Sequence, residues 1–586
     1  MEQYYSAERN VQIVVSLLKM YGIKRVIVSP GSTNVTFVGS IQQDSFFEIY
    51  SCVDERSAAY MACGMAAETQ EPVVLSCTGA TASRNYYSAL TEAFYRKLPI
   101  VAITSTQDIA KIGNMICQVI DRTQQPKDVL RYSVHLQNIK DKEDERDCEL
   151  KVNRALLELD HHGMGPVHIN LSTTYSSDYS VKELPYVRKI IRVLENDCFP
   201  DIPKKGKICI YAGSHFEWSR SAIESIDKFC EIYNSVVFAD ITSNYNGKYG
   251  INYQIALEQH FKDPNRNIDL LIHIGEMADF AGMVGFPKQC WRVNEDGNLC
   301  DRYGSLTAVF EMSEYSFFNH YNQLADSNPH DDSYLNTCVE VVNRLRLNVP
   351  ELPFSHIWIA QQLSSKIPVN SCVHLGILSP LRSWSYWPFD KTVRVYCNQG
   401  GFGIDGNLSS LIGASLVSPD TLYYGIVGDL SFFYDLNSLG NRHVAPNVRI
   451  LLVNNSKAAE FHLSKQENIT CIKDIDSFMS AAGHFGRQSS DLVRHYATDL
   501  GFEYISASNK DEFFNVSGRF VSKNCSGKPM LFEVFTRVDD EDEALKRMCS
   551  IEKDTSNGSC FDRIKSEVKC IIGNNRIEAM KTLIRG

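Results

Sequence analysis

Asp429 closes the apolar run YYGIVGD, and Asn454 and Asn455 close the next one, VRILLVNN. A carboxylate at one strand tip and an amide oxygen at another are the hard oxygen donors that a Mg²⁺-like ion takes, and an ion held there can grip a diphosphate. The pair therefore reads as a cofactor anchor. A lone acid stands much earlier, Glu55 in SCVDERSAAYMACGMA, and a glycine-rich stretch, YCNQGGFGIDGNLSS, lies between the two.

The elements around these residues are legible. YYGIVGD reads as a buried parallel strand, SFFYDLNSLGNRH as a crossover and VRILLVNN as the next strand, which brings Asp429 and Asn455 to one carboxyl edge, where α/β proteins bind ligands. Taken singly, Gly-Asp is a strand-end turn and Asn-Asn a loop signal. IVSPGSTN runs a strand into a Pro-Gly turn, and Glu55 stands where a strand end meets an Ala-rich helix; alone, it reads as a first-turn acid favoured by the helix dipole. GFGIDG satisfies the G-x-G-x-x-G pattern of dinucleotide sites. It does not open a domain, however, and its best acidic partner, Asp420, falls short of the ~20-residue offset that such a site needs.

Apolar β-rich runs alternate with helical segments along the chain, which argues α/β architecture with parallel sheets. Three sets stand out: RVIVS, PVVLSCT, IVAITST and PVHINLS; then KICIYAG, SVVFADIT, DLLIHIG and TAVFEMS; then CVHLGILS through MLFEVFT. Domains are expected at 1–180, 200–345 and 355–540. The acidic DDEDEALKR begins a C-terminal extension, 541–586, read as solvated.

Composition bounds the function. A chain of 586 residues exceeds a single core, and 44% hydrophobic residues suffice for folding. Net charge is −11 with no basic stripe, which disfavours nucleic acid. No apolar run approaches the ~20 residues of a membrane span, so a cytoplasmic location is expected. The eighteen cysteines are scattered without a C-x-x-C and read as reduced core residues. GxSxG, HExxH and Walker A sequences are absent, so hydrolase, zincin and P-loop readings lack an anchor.

GDLSFFYDLN with NN after the next strand resembles the thiamin diphosphate motif, and the whole set, PGSTN, DERSAAY, SCTGATASRNYY, GFGIDG and GDLS, is most similar to the 2-succinyl-5-enolpyruvyl-6-hydroxy-3-cyclohexene-1-carboxylate (SEPHCHC) synthase branch of that family. The resemblance implies three doubly wound domains: a pyrimidine-binding one carrying Glu55, a central one without evident chemistry, and a diphosphate- and metal-binding one. It implies thiamin diphosphate with Mg²⁺ (or Mn²⁺) as cofactors, the metal held by Asp429, Asn455 and the carbonyl of Lys457. Gly428 and Ser431 would lie beside the diphosphate. Gly403 and Ile404 would lie against the rings, Ile404 as the wedge that bends the cofactor. Glu55 would drive the aminopyrimidine to its imino form. A homodimer or dimer of dimers is implied, with the first domain of one subunit facing the third of another.

Substrate residues depart from that branch. A site for several carboxylates needs arginine forks; Thr33, Gln107 and Gln399 stand where the branch has Arg, whereas Arg382 in LSPLRSW and Gln118 in CQVID match its substrate arginine and active-site glutamine. The expectation is an enzyme that decarboxylates a 2-oxo acid and ligates the product to a second carbonyl or enoate, with an altered pocket. Alternatives are a 2-oxo acid decarboxylase releasing an aldehyde, a catalytically idle thiamin diphosphate-binding homologue, and an NAD-dependent oxidoreductase. His462 is a weak candidate for protonation.

Overall fold

The computed structural model describes residues 4–259, 261–324, 331–463, 472–483, 489–524 and 527–552. Two compact units emerge, one built on Met1–Val193 with Asn298–Val309 and the other on Leu194–Gly297 with Phe310–Asn557. The fold is α/β, with three parallel sheets and interleaved helices.

The first unit carries a six-stranded sheet of β1 (Arg25–Val28), β2 (Glu48–Ser51), β3 (Val73–Thr78), β4 (Ile100–Thr106), β5 (Tyr132–Leu136) and β6 (Val167–Ser172), ordered β2-β1-β3-β4-β6-β5. All its pairings are parallel. Successive strand residues point to opposite faces, and both faces are covered, so the central strands are almost wholly buried, with polar residues such as Thr104, His168 and Asn170 among the apolar ones. Val26, Val74, Val101 and Ile103 join one core, whereas Ile27, Val73, Leu75, Ile100 and Ala102 join the other. The helix Glu55–Thr69 lays Ala58, Ala59, Ala62 and Ala66 on that second core, and small side chains bring it close to the sheet.

The middle sheet has seven strands, β7 (Ile191–Leu194), β8 (Ile208–Ala212), β9 (Val236–Ala239), β10 (Gly250–Ile251), β11 (Leu270–Ile274), β12 (Gln289–Asn294) and β13 (Leu306–Glu311). Within it β10-β9-β8-β11-β12 are consecutive parallel neighbours. Strand β9 ends before the expected Thr242 because Asp240 accepts from the N–H and Oγ1 of Thr242, an Asx turn that diverts the chain.

The third sheet holds β14 (Cys372–Leu375), β15 (Arg394–Cys397), β16 (Tyr423–Gly428), β17 (Val448–Asn454), β18 (Glu503–Ala507) and β19 (Met530–Phe535), ordered β15-β14-β16-β17-β19-β18. Its strands are parallel throughout and repeat the spatial order of the first sheet. The acidic run read as a solvated extension instead begins the helix Val538–Cys549, with Glu541, Ala544, Leu545 and Met548 buried. Its alternation of acids with apolar residues at helical spacing gives one buried stripe, and buried Glu541 accepts from the His356 N–H and from Thr536 Oγ1. The rest of that expected extension, from 553, lies outside the described residues. Among the described residues no helix is long and apolar enough to cross a membrane.

Candidate functional site

Loops leaving β14, β15, β16 and β17 share the carboxyl edge of the third sheet. A cavity of about 750 Å³ opens there, and its lining includes Ile404, Gly428, Asp429, Ser431, Asn455 and Lys457. Residues separated by more than fifty positions in sequence thus border one space. A Cβ on Gly428 would meet no atom within 4 Å, so this glycine borders open room rather than packed protein.

Asp429 is buried at the tip of β16 and Asn455 follows β17, the neighbouring strand. The Asn455 N–H donates to Asp429 Oδ2 at 3.2 Å, and the Leu430 N–H donates to Oδ1 at 2.8 Å. Burial pushes the Asp429 carboxyl up to about 6, against the lowering effect of these backbone donors. Asn454 and Asn455 have different fates. Asn454 Nδ2 donates to buried Glu533 at 2.8 Å and its Oδ1 accepts from the Ser456 N–H. The Oδ1 of Asn455 is buried with no hydrogen-bond partner. A buried amide oxygen left without a donor costs about 1–3 kcal/mol unless something else satisfies it. Beside a carboxylate it is a fitting ligand for a hard cation. The donor set of Asp429, Asn455 Oδ1 and the Lys457 carbonyl therefore fits Mg²⁺. Ser456, between them, takes φ +68°, a left-handed conformation uncommon outside glycine.

The GFGIDG turn is fixed from below. Ser431 Oγ donates to the Ile404 carbonyl at 2.6 Å; Asn407 Nδ2 donates to the same carbonyl at 2.9 Å and to Ser431 Oγ at 2.8 Å. Ile404 is half-buried and lines the cavity from a rigid turn. Gly403 precedes it, and a Cβ there would lie 2.3 Å from Asp405 Oδ1, the end of an exposed side chain. Leu378, also on the lining, takes φ +65° and ψ −120°, a glycine-like conformation that costs about 1–3 kcal/mol and clusters at functional turns.

Cations around this cavity are tied up by the protein itself. Arg382 donates from both terminal nitrogens to Glu460, at 2.9 and 2.7 Å, and Ser379 Oγ lies 3.4 Å from the same carboxylate. Burial works against the guanidinium charge, and the hydrogen-bonded Glu460 overcomes it, holding Arg382 above its ordinary value. Lys457 Nζ pairs with Asp476 at 2.7 Å, and His462 Nε2 reaches the same carboxylate at 2.6 Å. Asp476 is held below the usual carboxylate range, chiefly by Lys457. Gln399 is buried and spends its amide elsewhere: Nε2 donates to Thr242 and Oε1 accepts from the Asp279 N–H. Sequence reasoning did not single out Glu460, Ser379, Asn407 or Asp476. The acid five residues after Asn455 was the available signal, but its partner Arg382 is too distant in sequence to reveal the pair.

In the first unit the predicted residues follow three strands at one carboxyl edge. Asp54 caps the helix Glu55–Thr69 by accepting from the Ser57 N–H at 2.7 Å, which makes Glu55 its first residue. Asn85 Nδ2 lies 3.4 Å from Glu55 Oε2. The Pro-Gly turn after β1 presses on β3: a Cβ on Gly31 would fall 1.6 Å from Thr78 Cγ2, so only glycine fits. Asn34 Nδ2 ties the turn down by donating to the Ser29 carbonyl at 3.0 Å. Thr33 is buried and donates to the Ser105 carbonyl at 3.0 Å. Gln118, in the loop after β4, is exposed at φ +67°.

Residues 9–129 match the family described as thiamine pyrophosphate enzyme, N-terminal TPP binding domain. Over its length the chain is 30% identical to the 2-succinyl-5-enolpyruvyl-6-hydroxy-3-cyclohexene-1-carboxylate synthase of Bacteroides thetaiotaomicron, covering 92% of this chain and 98% of that relative. The synthases of the same name from Phocaeicola vulgatus and Christiangramia forsetii are 29% and 28% identical, with the same coverage of each chain. With a matching N-terminal domain, three parallel α/β sheets and full-length similarity, the chain belongs to the thiamine pyrophosphate enzyme family, among the relatives of SEPHCHC synthase.

Proposed function

We propose that this enzyme uses thiamin diphosphate and Mg²⁺ to decarboxylate a 2-oxo acid and to ligate the remaining acyl unit to a second carbonyl or enoate, in a pocket altered from that of its relatives. When bound, the cofactor supplies the nucleophilic carbon that lets a 2-oxo acid lose CO₂. Asp429, Asn455 Oδ1 and the Lys457 carbonyl hold the metal. Gly428 would leave room for the diphosphate beside Ser431, and Gly403 and Ile404, on a turn held by Asn407, would lie on the side of the rings. Glu55 exchanges the proton that activates the aminopyrimidine, and Gln118, Thr33, Arg382 and Gln399 belong to the substrate side.

The observation that carries this reading is the buried, unpartnered Asn455 Oδ1 beside buried Asp429 at the rim of an open cavity. Full-length similarity to a synthase supports ligation over simple decarboxylation. We further propose domains at 1–180, 200–345 and 355–540, and a homodimer in which Glu55 of one subunit serves the cofactor held by another. Screening 2-oxo acids for CO₂ release with thiamin diphosphate and Mg²⁺ tests the activity. Release that requires both, with a ligated product when an acceptor aldehyde is supplied, is expected. Release of aldehyde alone with every acceptor would make the enzyme a decarboxylase, and no release from any 2-oxo acid despite cofactor binding would favour the idle homologue.

A further inference from the structure

Arg382 and Glu460 form a bidentate fork-to-carboxylate pair in which both side chains are about 15% exposed, at 16% and 15%. Such pairing uses the in-plane N–H edge of the guanidinium that would otherwise receive a ligand carboxylate. Glu460 and Ser379 line the cavity described above, so the pair closes one of its walls. Lys457, the cation among the cavity's described lining residues, is engaged by Asp476. His356, also on the lining, is kept neutral because burial drives its pKa down to about 3. Of the remaining charged groups of the wall, Asp429 is assigned to the metal, which leaves Glu460 as the acid, and much of the rest is apolar, including Ile377, Leu378, Leu430, Phe461 and Met479.

A second carboxylate on a substrate that reached Glu460 would meet, among the described lining residues, no cation free of a protein partner. Stripping water from an unpaired carboxylate is strongly unfavourable, whereas burying an alkyl tail is favourable. We infer that Glu460 is a specificity-determining residue: by closing Arg382 to ligands it restricts the donor to a 2-oxo acid whose tail is uncharged and apolar, and it excludes 2-oxo dicarboxylates. This deepens the proposed function and rests on that reading for the identity of the reaction, but the exclusion itself is a binding property of the wall.

The test compares 2-oxoglutarate with 5-methyl-2-oxohexanoate, in which an isopropyl group replaces the distal carboxylate. CO₂ release is followed with the enzyme loaded with thiamin diphosphate and Mg²⁺, and glutarate binding to the same protein is measured by calorimetry. The wild type should favour the branched acid by at least tenfold in kcat/KM and show no glutarate binding. Glu460→Gln should shift the ratio toward 2-oxoglutarate by tenfold or more and bind glutarate. Should Glu460→Gln fail to fold because Arg382 is left buried without its counter-charge, the double variant Arg382→Met with Glu460→Leu provides the second comparison. It removes both charges and should still refuse glutarate. A wild type that prefers 2-oxoglutarate, a Glu460→Gln enzyme with an unchanged ratio and no glutarate binding, or a double variant that gains glutarate would each overturn the inference. Absence of CO₂ release from both acids would count against the proposed reaction, and glutarate binding would still decide the role of Glu460.

Discussion

Asp429 and Asn455 are joined through one backbone hydrogen bond of 3.2 Å, from the Asn455 N–H to Asp429 Oδ2, while the Asn455 side-chain oxygen stays buried and unpartnered. The backbone bond fixes the spacing of the two strand tips. It also leaves both side chains with oxygen lone pairs turned to the same task. Asn454, one residue earlier, is engaged at Nδ2 by Glu533 and at Oδ1 by the Ser456 N–H, so the two amides of the NN pair divide into one structural and one ligand-competent group.

Glu55→Gln removes the proton that the first-unit acid exchanges without changing its size. CO₂ release should fall by about a hundredfold to ten-thousandfold. The rise in melting temperature caused by thiamin diphosphate with Mg²⁺ should persist, since the diphosphate anchor is intact. Turnover within a fewfold of wild type would remove Glu55 from its proposed role.

Asn407→Ala cuts two of the hydrogen bonds that hold the Ile404 turn. Each bond contributes about 1 kcal/mol, so a modest drop in melting temperature is expected. The larger effect should be on kcat, about tenfold to a hundredfold, because a misplaced wedge misorients the reacting atoms. An unchanged kcat alongside the lowered melting temperature would make Asn407 purely structural.

Gly31→Ala places a methyl group 1.6 Å from Thr78 Cγ2. Overpacking of this kind costs about 1–3 kcal/mol or more. Thr78→Ser deletes the clashing methyl, so the double variant should recover part of the lost stability. Denaturation midpoints of the four proteins in this cycle check the contact, and strictly additive losses would contradict it.

Sequence and structure agree where a strand is buried on both faces. The runs at β3, β4, β16 and β17 are almost wholly buried and rich in apolar residues, and their ends fall within one residue of expectation. Strands β5, β7, β10 and β18 escaped notice because each lies at an open sheet edge, where the sequence turns mixed, as in YSVHL and EYISA, and β12, buried from Cys290 to Asn294 inside the middle sheet, escaped as well. Asp429, Asn455 and Ile404 were readable because a local motif carries them. Glu460 was not, since its meaning depends on Arg382, and that contact exists only after β14 and β17 have folded into one sheet. Thr33 and Gln399 were legible as departures from arginine, yet their hydrogen bonds to Ser105, Thr242 and Asp279 depend on tertiary packing.

Acid should weaken the fold through buried histidines. Burial drives His168 and His356 from an ordinary 6.5 down to about 3, and His135 and His374 down to about 4. Below pH 6.5 the unfolded chain takes up protons that the folded chain refuses. Their contribution is thus fully present above 6.5 and is lost as pH falls from there toward the folded-state values. Each group can contribute about 1–3 kcal/mol over that window. His168 bridges Thr104 and Ser133 at 2.7 and 2.8 Å, and glutamine can keep a polar bridge there. His168→Gln should shrink the fall in melting temperature between about pH 7 and pH 4.5; an identical fall would show that His168 is not part of the acid response.

Titrating thiamin diphosphate calorimetrically into metal-free protein, with and without Mg²⁺, tests the anchor most directly. The expected result is saturable binding that depends on Mg²⁺ and that Asn455→Ala weakens by at least tenfold. Binding of equal strength without the metal, or unaffected by Asn455→Ala, would contradict the assignment of that orphaned oxygen as a metal ligand and with it the cofactor site.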